Sequence, residues 1–165
     1  MKYWLISLAL LIAVVSGIVG YRKHKAAGIM KDPGNKLMQV QEINGYTYRF
    51  MYLPKGTPRE WCFRINVHVP PDPGNNAPES NQASYGIDTL FHIVSGADTL
   101  LPAKALRIAN GNLNGVEYMV CFAQRKLKDG DAIFEFKDRL FNNRYVSFSV
   151  NFSAIQKIDP LSKSL

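Results

Sequence analysis

An apolar repeat of two limits this chain more than any other feature. Tyr46, Tyr48, Phe50 and Tyr52 alternate with Thr47, Arg49, Met51 and Leu53, and Phe63, Ile65, Val67 and Val69 alternate with Cys62, Arg64, Asn66 and His68. The pattern returns at Val146, Phe148, Val150 and Phe152. Successive side chains of a strand point to opposite faces, so this period gathers the large apolar groups of each segment on one side. A helix of the same sequence would scatter them.

Punctuation between these runs fits the same reading. Asn44-Gly45 separates Leu37–Ile43 from Tyr46–Leu53. An Asn-Gly pair between apolar runs predicts a hairpin, because a type I′ turn needs positive φ at both central residues. Pro54, Gly56 and Pro58 end the second arm. Further strands are expected at Cys62–Val69, Ile87–Val94, Thr99–Leu101, Ala105–Ala109, Val116–Gln124, Ala132–Lys137 and Tyr145–Phe152. Turns are expected at 95–98, 110–115, 128–131 and 142–143. Ser153 is read as the cap of a single helical turn over 154–158 that Pro160 closes. Residues 70–84, rich in Pro, Asn and Ser, read as a long exposed loop. The fold class expected is all-β: an antiparallel sandwich or barrel of about eight short strands.

One N-terminal transmembrane helix is expected ahead of that domain. Tyr3 to Tyr21 carry no charge over 19 residues, and such a helix rises about 28 Å, close to the hydrocarbon thickness of a bilayer. Arg22, Lys23, His24 and Lys25 follow at once and would stop the span at the headgroups, with Trp4 and Tyr21 as interfacial aromatics. Trp4, Tyr21, Arg22, Lys23 and Lys25 are therefore the candidate anchor flank. A cleaved signal peptide with small residues near Gly17 or Gly20 is the competing reading. The organisation expected is an anchor or signal segment at 1–25, a linker at 26–36 and a β domain at 37–165. The localisation that follows is a single-pass membrane protein. An extracytoplasmic β domain suits its exported look, whereas the cations after the span favour the opposite orientation.

The formal charge of +7 would suggest nucleic acid were it not for its distribution. Lys2, Arg22, Lys23, Lys25 and Lys31 belong to the N-terminal segment. Without them 15 basic side chains face 13 acidic ones, too small an excess for a duplex-binding face. Membrane lipid at the N-terminal helix and a possible protein partner are the partners expected, with no nucleic acid.

No motif of nucleotide binding, metalloprotease or serine hydrolase chemistry occurs. Asp129-Gly130-Asp131 resembles part of a calcium loop, but the position that needs glutamate is Leu140. His92, His68, Asp88 and Asp98 read as solvated or turn-capping groups. Cys62 and Cys121 lack metal-site spacing, and read either as two small buried residues or as a disulfide joining two sheets. No catalytic residue, metal or cofactor is expected. Tyr46, Tyr48 and Tyr52 form the candidate binding surface, for glycan or peptide, with a core or sheet face as the alternative.

Phe91, the run Gly96 to Pro102, the run Phe134 to Phe141 and the run Phe148 to Pro160 resemble a group of small envelope-associated proteins of Bacteroidota, with Tyr48–Pro54 matching the start of the same domain. The stretch reaches from Tyr85 to Leu161. The resemblance implies a β-rich envelope protein and no catalytic residue, and this chain departs from it in lacking a lipid-accepting cysteine. Function is therefore expected to be that of a membrane-anchored, non-catalytic interaction or accessory module, with a glycan- or peptide-binding sandwich as the alternative and an enzyme as the least favoured reading.

Overall fold

The computed structural model describes residues 2–54, 59–70, 86–108, 115–125 and 132–162, with side chains from residue 14 onward. The strands are β1 (Met38–Ile43), β2 (Tyr46–Leu53), β3 (Glu60–His68), β4 (Phe91–Ser95), β5 (Asp98–Leu100), β6 (Lys104–Ile108), β7 (Gly115–Ala123), β8 (Ala132–Asp138) and β9 (Arg144–Val150). They form two antiparallel sheets, one ordered β1-β2-β3-β7-β6 and the other β5-β4-β8-β9. Two helices, α1 (Lys2–Lys31) and α2 (Phe152–Ser162), complete the described fold.

The period of two becomes the inner face of this sandwich. Phe50 of β2 lies 5.2 Å from Phe63 of β3, and 5.2 and 5.0 Å from Phe134 and Phe148 of the other sheet. Phe91 stacks on Phe136 at 5.0 Å. All six rings are buried. Burying one such side chain contributes about 1.5–3 kcal/mol, so this ring cluster dominates the attraction between the sheets.

Local chemistry fixes the joints. Asn44 and Gly45 have φ of 53° and 82°, as the β1–β2 turn requires. At the β8–β9 turn the fully buried Asp138 accepts hydrogen bonds from the backbone N–H groups of Leu140, Phe141 and Asn142 at 3.0, 3.0 and 3.2 Å. The hydroxyl of Tyr48 donates to the same carboxylate at 2.5 Å, which ties β2 to the opposite sheet. The open flank between the edge strands β1 and β9 is laced by two amides. Gln39 and Gln41 donate from Nε2 to the carbonyls of Ser149 and Ser147, both at 2.7 Å. These bonds satisfy acceptors that an unpaired edge would leave open.

Four sequence expectations need correction. Residues 87–90 are not strand but a 3-10 turn, Ile87–Leu90, in which the Thr89 hydroxyl donates to the Gly86 carbonyl at 2.7 Å. The C-terminal element is not a single turn capped by Ser153. Asn151 caps it, accepting from the Ala154 N–H at 3.1 Å, and α2 runs 11 residues through Pro160. Burial of Ala154, Ile155 and Ile158, with the Tyr52 hydroxyl bonded to Asp159 at 2.6 Å, outweighs the one backbone bond the proline deletes. The span expected to be a linker from residue 26 is helical as far as Lys31. Ala26 is buried, and Ile29 and Met30 pack against the core, so the C-terminal turns of α1 belong to the domain.

The fourth correction concerns the membrane. Among the described residues no helix is long and apolar enough to cross a membrane, so a single-pass assignment is not supported. In the part of α1 whose side chains are described, Val14 to Tyr21 are free of charge before Arg22, Lys23, Lys25 and Lys31. Tyr21 is exposed, as are Arg22, Lys23 and Lys25, and the Lys25 ammonium lies 6.0 Å from the Tyr21 ring. Trp4 falls outside the described side chains.

Two tyrosines test the polar part of the core in opposite directions. Tyr48→Phe removes a hydrogen bond to a buried carboxylate and should lower stability by about 1.5–3 kcal/mol. The Tyr118 hydroxyl is buried with no hydrogen-bond partner among the described residues, so Tyr118→Phe should raise stability by about 1 kcal/mol. Urea denaturation of both variants checks the two signs.

Candidate functional site

The rings expected to form a binding surface face the wrong way for one. Tyr46, Tyr48 and Tyr52 are 6%, 0% and 0% exposed. Tyr46 stacks on Phe141 at 5.6 Å, and Tyr48 and Tyr52 are tied to Asp138 and Asp159. They are core residues, and no aromatic platform exists on β2.

The other phase of the same strands makes the surface. Directly paired residues on neighbouring strands share a face. The ladder aligns Met38 with Met51, Met51 with Arg64, Arg64 with Met119 and Met119 with Leu106. One row of side chains thus crosses all five strands. The next row aligns Val40, Arg49, Asn66, Glu117 and Ile108. Met38, Val40 and Leu106 are exposed, while Met51 and Met119 are half-buried.

Between these rows lies a cleft of about 450 Å³, walled by residues of β1, β2, β3 and β7. Arg49 and Arg64 bring cationic groups to it, His68 lines it as well, and Glu117 is its acidic member. Glu117 is committed to Arg64 at 3.6 Å. Among the described residues the cleft lining contains no serine, threonine or cysteine. Gly115 sits opposite His68 in the ladder. A Cβ there would lie 2.5 Å from the Val67 carbonyl oxygen, so only glycine lets the strands approach this closely at that end of the face.

The remaining sequence candidates are dispersed. His92 on β4 is hydrogen-bonded to Glu135 of β8 at 2.6 Å on the outer face of the four-stranded sheet. Tyr145 stands edge-on to His92 at 6.3 Å, and the Lys137 ammonium lies 4.6 Å from the centre of that tyrosine ring. Asp88 and Asp98 are exposed, and neither is bonded to His92. The 70–84 loop, but for Pro70, and Asp129-Gly130-Asp131 lie outside the described residues. Cys62 and Cys121 do form a disulfide. It joins the adjacent strands β3 and β7 of one sheet rather than two sheets, and both residues are fully buried.

Sequence reasoning missed the methionine row. Its signal was present in the residues interleaved with the aromatic ones, Arg49 and Met51 on β2 and Arg64 and Asn66 on β3. What could not be read was the register that brings Met38, Met51 and Met119 into line.

No protein-family model, curated protein or solved structure matches this chain.

The buried phenols give the domain an alkaline limit. Burial pushes Tyr48, Tyr52 and Tyr118 well above the ordinary phenol range. The carboxylates of Asp138 and Asp159 raise Tyr48 and Tyr52 further, while the charge of Arg107 partly opposes the shift at Tyr118. In the unfolded chain each titrates near its ordinary value of about 10. The folded state therefore holds these protons more tightly. That stability is complete below about pH 10 and falls above it, by up to about 1.4 kcal/mol per pH unit for each tyrosine. Tyrosinate absorbance followed with far-ultraviolet circular dichroism should show three phenols that ionise only as the fold is lost.

Proposed function

We propose that this chain is a non-catalytic interaction module whose docking surface is the outer face of the five-stranded sheet, and that its occupant is an extended peptide segment carrying both apolar and acidic side chains. The observation that carries this reading is the partly exposed methionine row beside Arg49. Unbranched, polarisable side chains adapt to varied apolar partners, and the row sets them on both sides of Arg64, so apolar and charged groups share one face. Charge complementarity selects the acidic partner. Arg64 is already engaged by Glu117, whereas Arg49 is exposed and has no ion-pair partner among the described residues. A carboxylate from outside would supply one. A glycan reading depended on exposed tyrosines and loses that support.

Selection from a phage-displayed random peptide library against the full chain tests the proposal. Enriched peptides should combine apolar with acidic residues. Once synthesised, they should bind Arg49→Glu and Met38→Asp variants at least about tenfold more weakly, a change of about 1.4 kcal/mol, while both variants keep the parent's circular dichroism spectrum. Failure to enrich any peptide, or enriched peptides indifferent to both substitutions, would overturn it.

A further inference from the structure

The disulfide has an acidic neighbour that finds no partner among the described residues. Cys62 and Cys121 are direct partners across β3 and β7, and Glu60 stands two residues before Cys62, opposite Ala123. Residues two apart on a strand share a face, so Glu60 and both cysteines lie together. One carboxylate oxygen and the two sulfurs are all within 4.8 Å of one another. A disulfide offers a carboxylate neither charge nor a hydrogen-bond donor. Glu60 is half-buried as a residue, and its carboxylate has no hydrogen-bond or ion-pair partner among the described residues. A carboxylate withdrawn from water and left unpaired is unfavourable, and a cation would relieve it.

The geometry points to a redox-gated site for a borderline-soft divalent metal ion of the zinc type, held by Cys62, Cys121 and Glu60 once the disulfide is reduced. The ligand set suits that ion: two thiolates and a carboxylate occupy three positions of a tetrahedron, and water can take the fourth. Harder ions such as magnesium and calcium prefer sites made wholly of oxygen. Opening the site is thiol–disulfide exchange with an external dithiol. One thiolate of the reductant attacks a cysteine sulfur and the Cys62–Cys121 bond breaks. The second thiolate then closes on the mixed disulfide. The reductant leaves as its own disulfide, having supplied two electrons and two protons to the two cysteine thiols. The metal ion then displaces those two protons and binds the thiolates.

Access comes from the end of the ladder. Cys62 is the third residue of β3 and Cys121 the third from the end of β7. Strand ends open locally at lower free energy than strand centres, so two buried sulfurs near the end of the ladder can meet a reductant without global unfolding. Glu60, at the first position of β3 and only half-buried, marks the side from which the ion arrives.

Cobalt titration of the full chain tests the site. Protein reduced by a trialkylphosphine, freed of it without oxygen and kept anaerobic, should take up one cobalt ion per chain. It should show thiolate-to-cobalt absorption in the near ultraviolet and the visible bands of a tetrahedral ion, both abolished by zinc. The oxidised chain should show neither. Cys62→Ser should remove the signal. Glu60→Gln should weaken binding by roughly tenfold or more, at least what loss of an outer-shell partner costs at other metal sites, while the oxidised variant melts like the parent. A folded, reduced chain without cobalt–thiolate absorption, or a Glu60→Gln variant that binds as tightly as the parent, overturns the assignment. If reduction unfolds the chain, zinc should restore its far-ultraviolet spectrum, and failure to do so also overturns it.

Discussion

The buried carboxylate of Asp138 is the constraint on which the arrangement of the two sheets depends. Hydrophobic attraction brings the sheets together but is non-directional, so it does not choose how far one slides over the other. A carboxylate in the core tolerates very little slip, because each lost hydrogen bond leaves charge unsatisfied at low dielectric. Three backbone amides of the β8–β9 turn hold one side of Asp138, and the Tyr48 hydroxyl of the opposite sheet holds the other. The β1–β2 turn is registered to the same corner, since Asn44 donates to the Asn142 side chain at 2.9 Å and Tyr46 stacks on Phe141. Polar contacts thus supply the register that the ring cluster around Phe50 leaves open.

Fixing the inner face also fixes the outer one. On β2 the rings of Tyr46, Tyr48, Phe50 and Tyr52 must point inward to fill the core, so Arg49 and Met51 must point outward. A slip of one residue would exchange the two sets and bury a guanidinium. The methionine row exists because β1, β3, β7 and β6 obey the same phase in a common register. The conflict between surface and core roles for the tyrosines is settled by their hydroxyls. Tyr48 and Tyr52 carry polar tips into the interior only because Asp138 and Asp159 are there to receive them. Tyr118 follows the same inward phase without a partner for its hydroxyl among the described residues.

Alternation made the β class and most strands legible, and Asn44-Gly45 made the first hairpin legible, since both signals are local. Long-range choices were not. The separation of nine strands into sheets of five and four depends on β7 pairing with β3 across some fifty intervening residues, which no local pattern encodes. The stretch from Ile87 to Leu90 alternates like a strand, yet a backward bond from Thr89 to Gly86 turns it into 3-10 helix. Ser153 and Pro160 pointed to a short, closed turn, but Asn151 caps the helix and burial of Ile155 and Ile158 extends it. At the N-terminus the uncharged run suggests a span, whereas the buried Ala26 with Ile29 and Met30 ties the end of the helix to the domain it packs against. The candidate cleft was half legible: its residue types could be read from the outward phase, but not their alignment.

The disulfide and Glu60 illustrate how pairing register creates chemistry that composition conceals. Cys62 and Cys121 are separated by 59 positions, and Glu60 is an ordinary surface type. Only the β3–β7 ladder sets the two sulfurs side by side, and only the two-residue repeat of β3 places a carboxylate on their face. Among the described residues nothing calls for a carboxylate at Glu60, because a cross-linked sulfur pair is neutral and satisfied. A lysine or threonine would sit at the end of a strand as comfortably, and opposite the small Ala123 either would fit. A metal ion distinguishes these alternatives, since carboxylate is the one of the three that can complete a thiolate site. The same strand therefore presents two kinds of chemistry on one face. Arg64 and Asn66 line an open cleft toward the middle of β3, and Glu60 and Cys62 lie at its first and third positions, next to the end of the β3–β7 ladder.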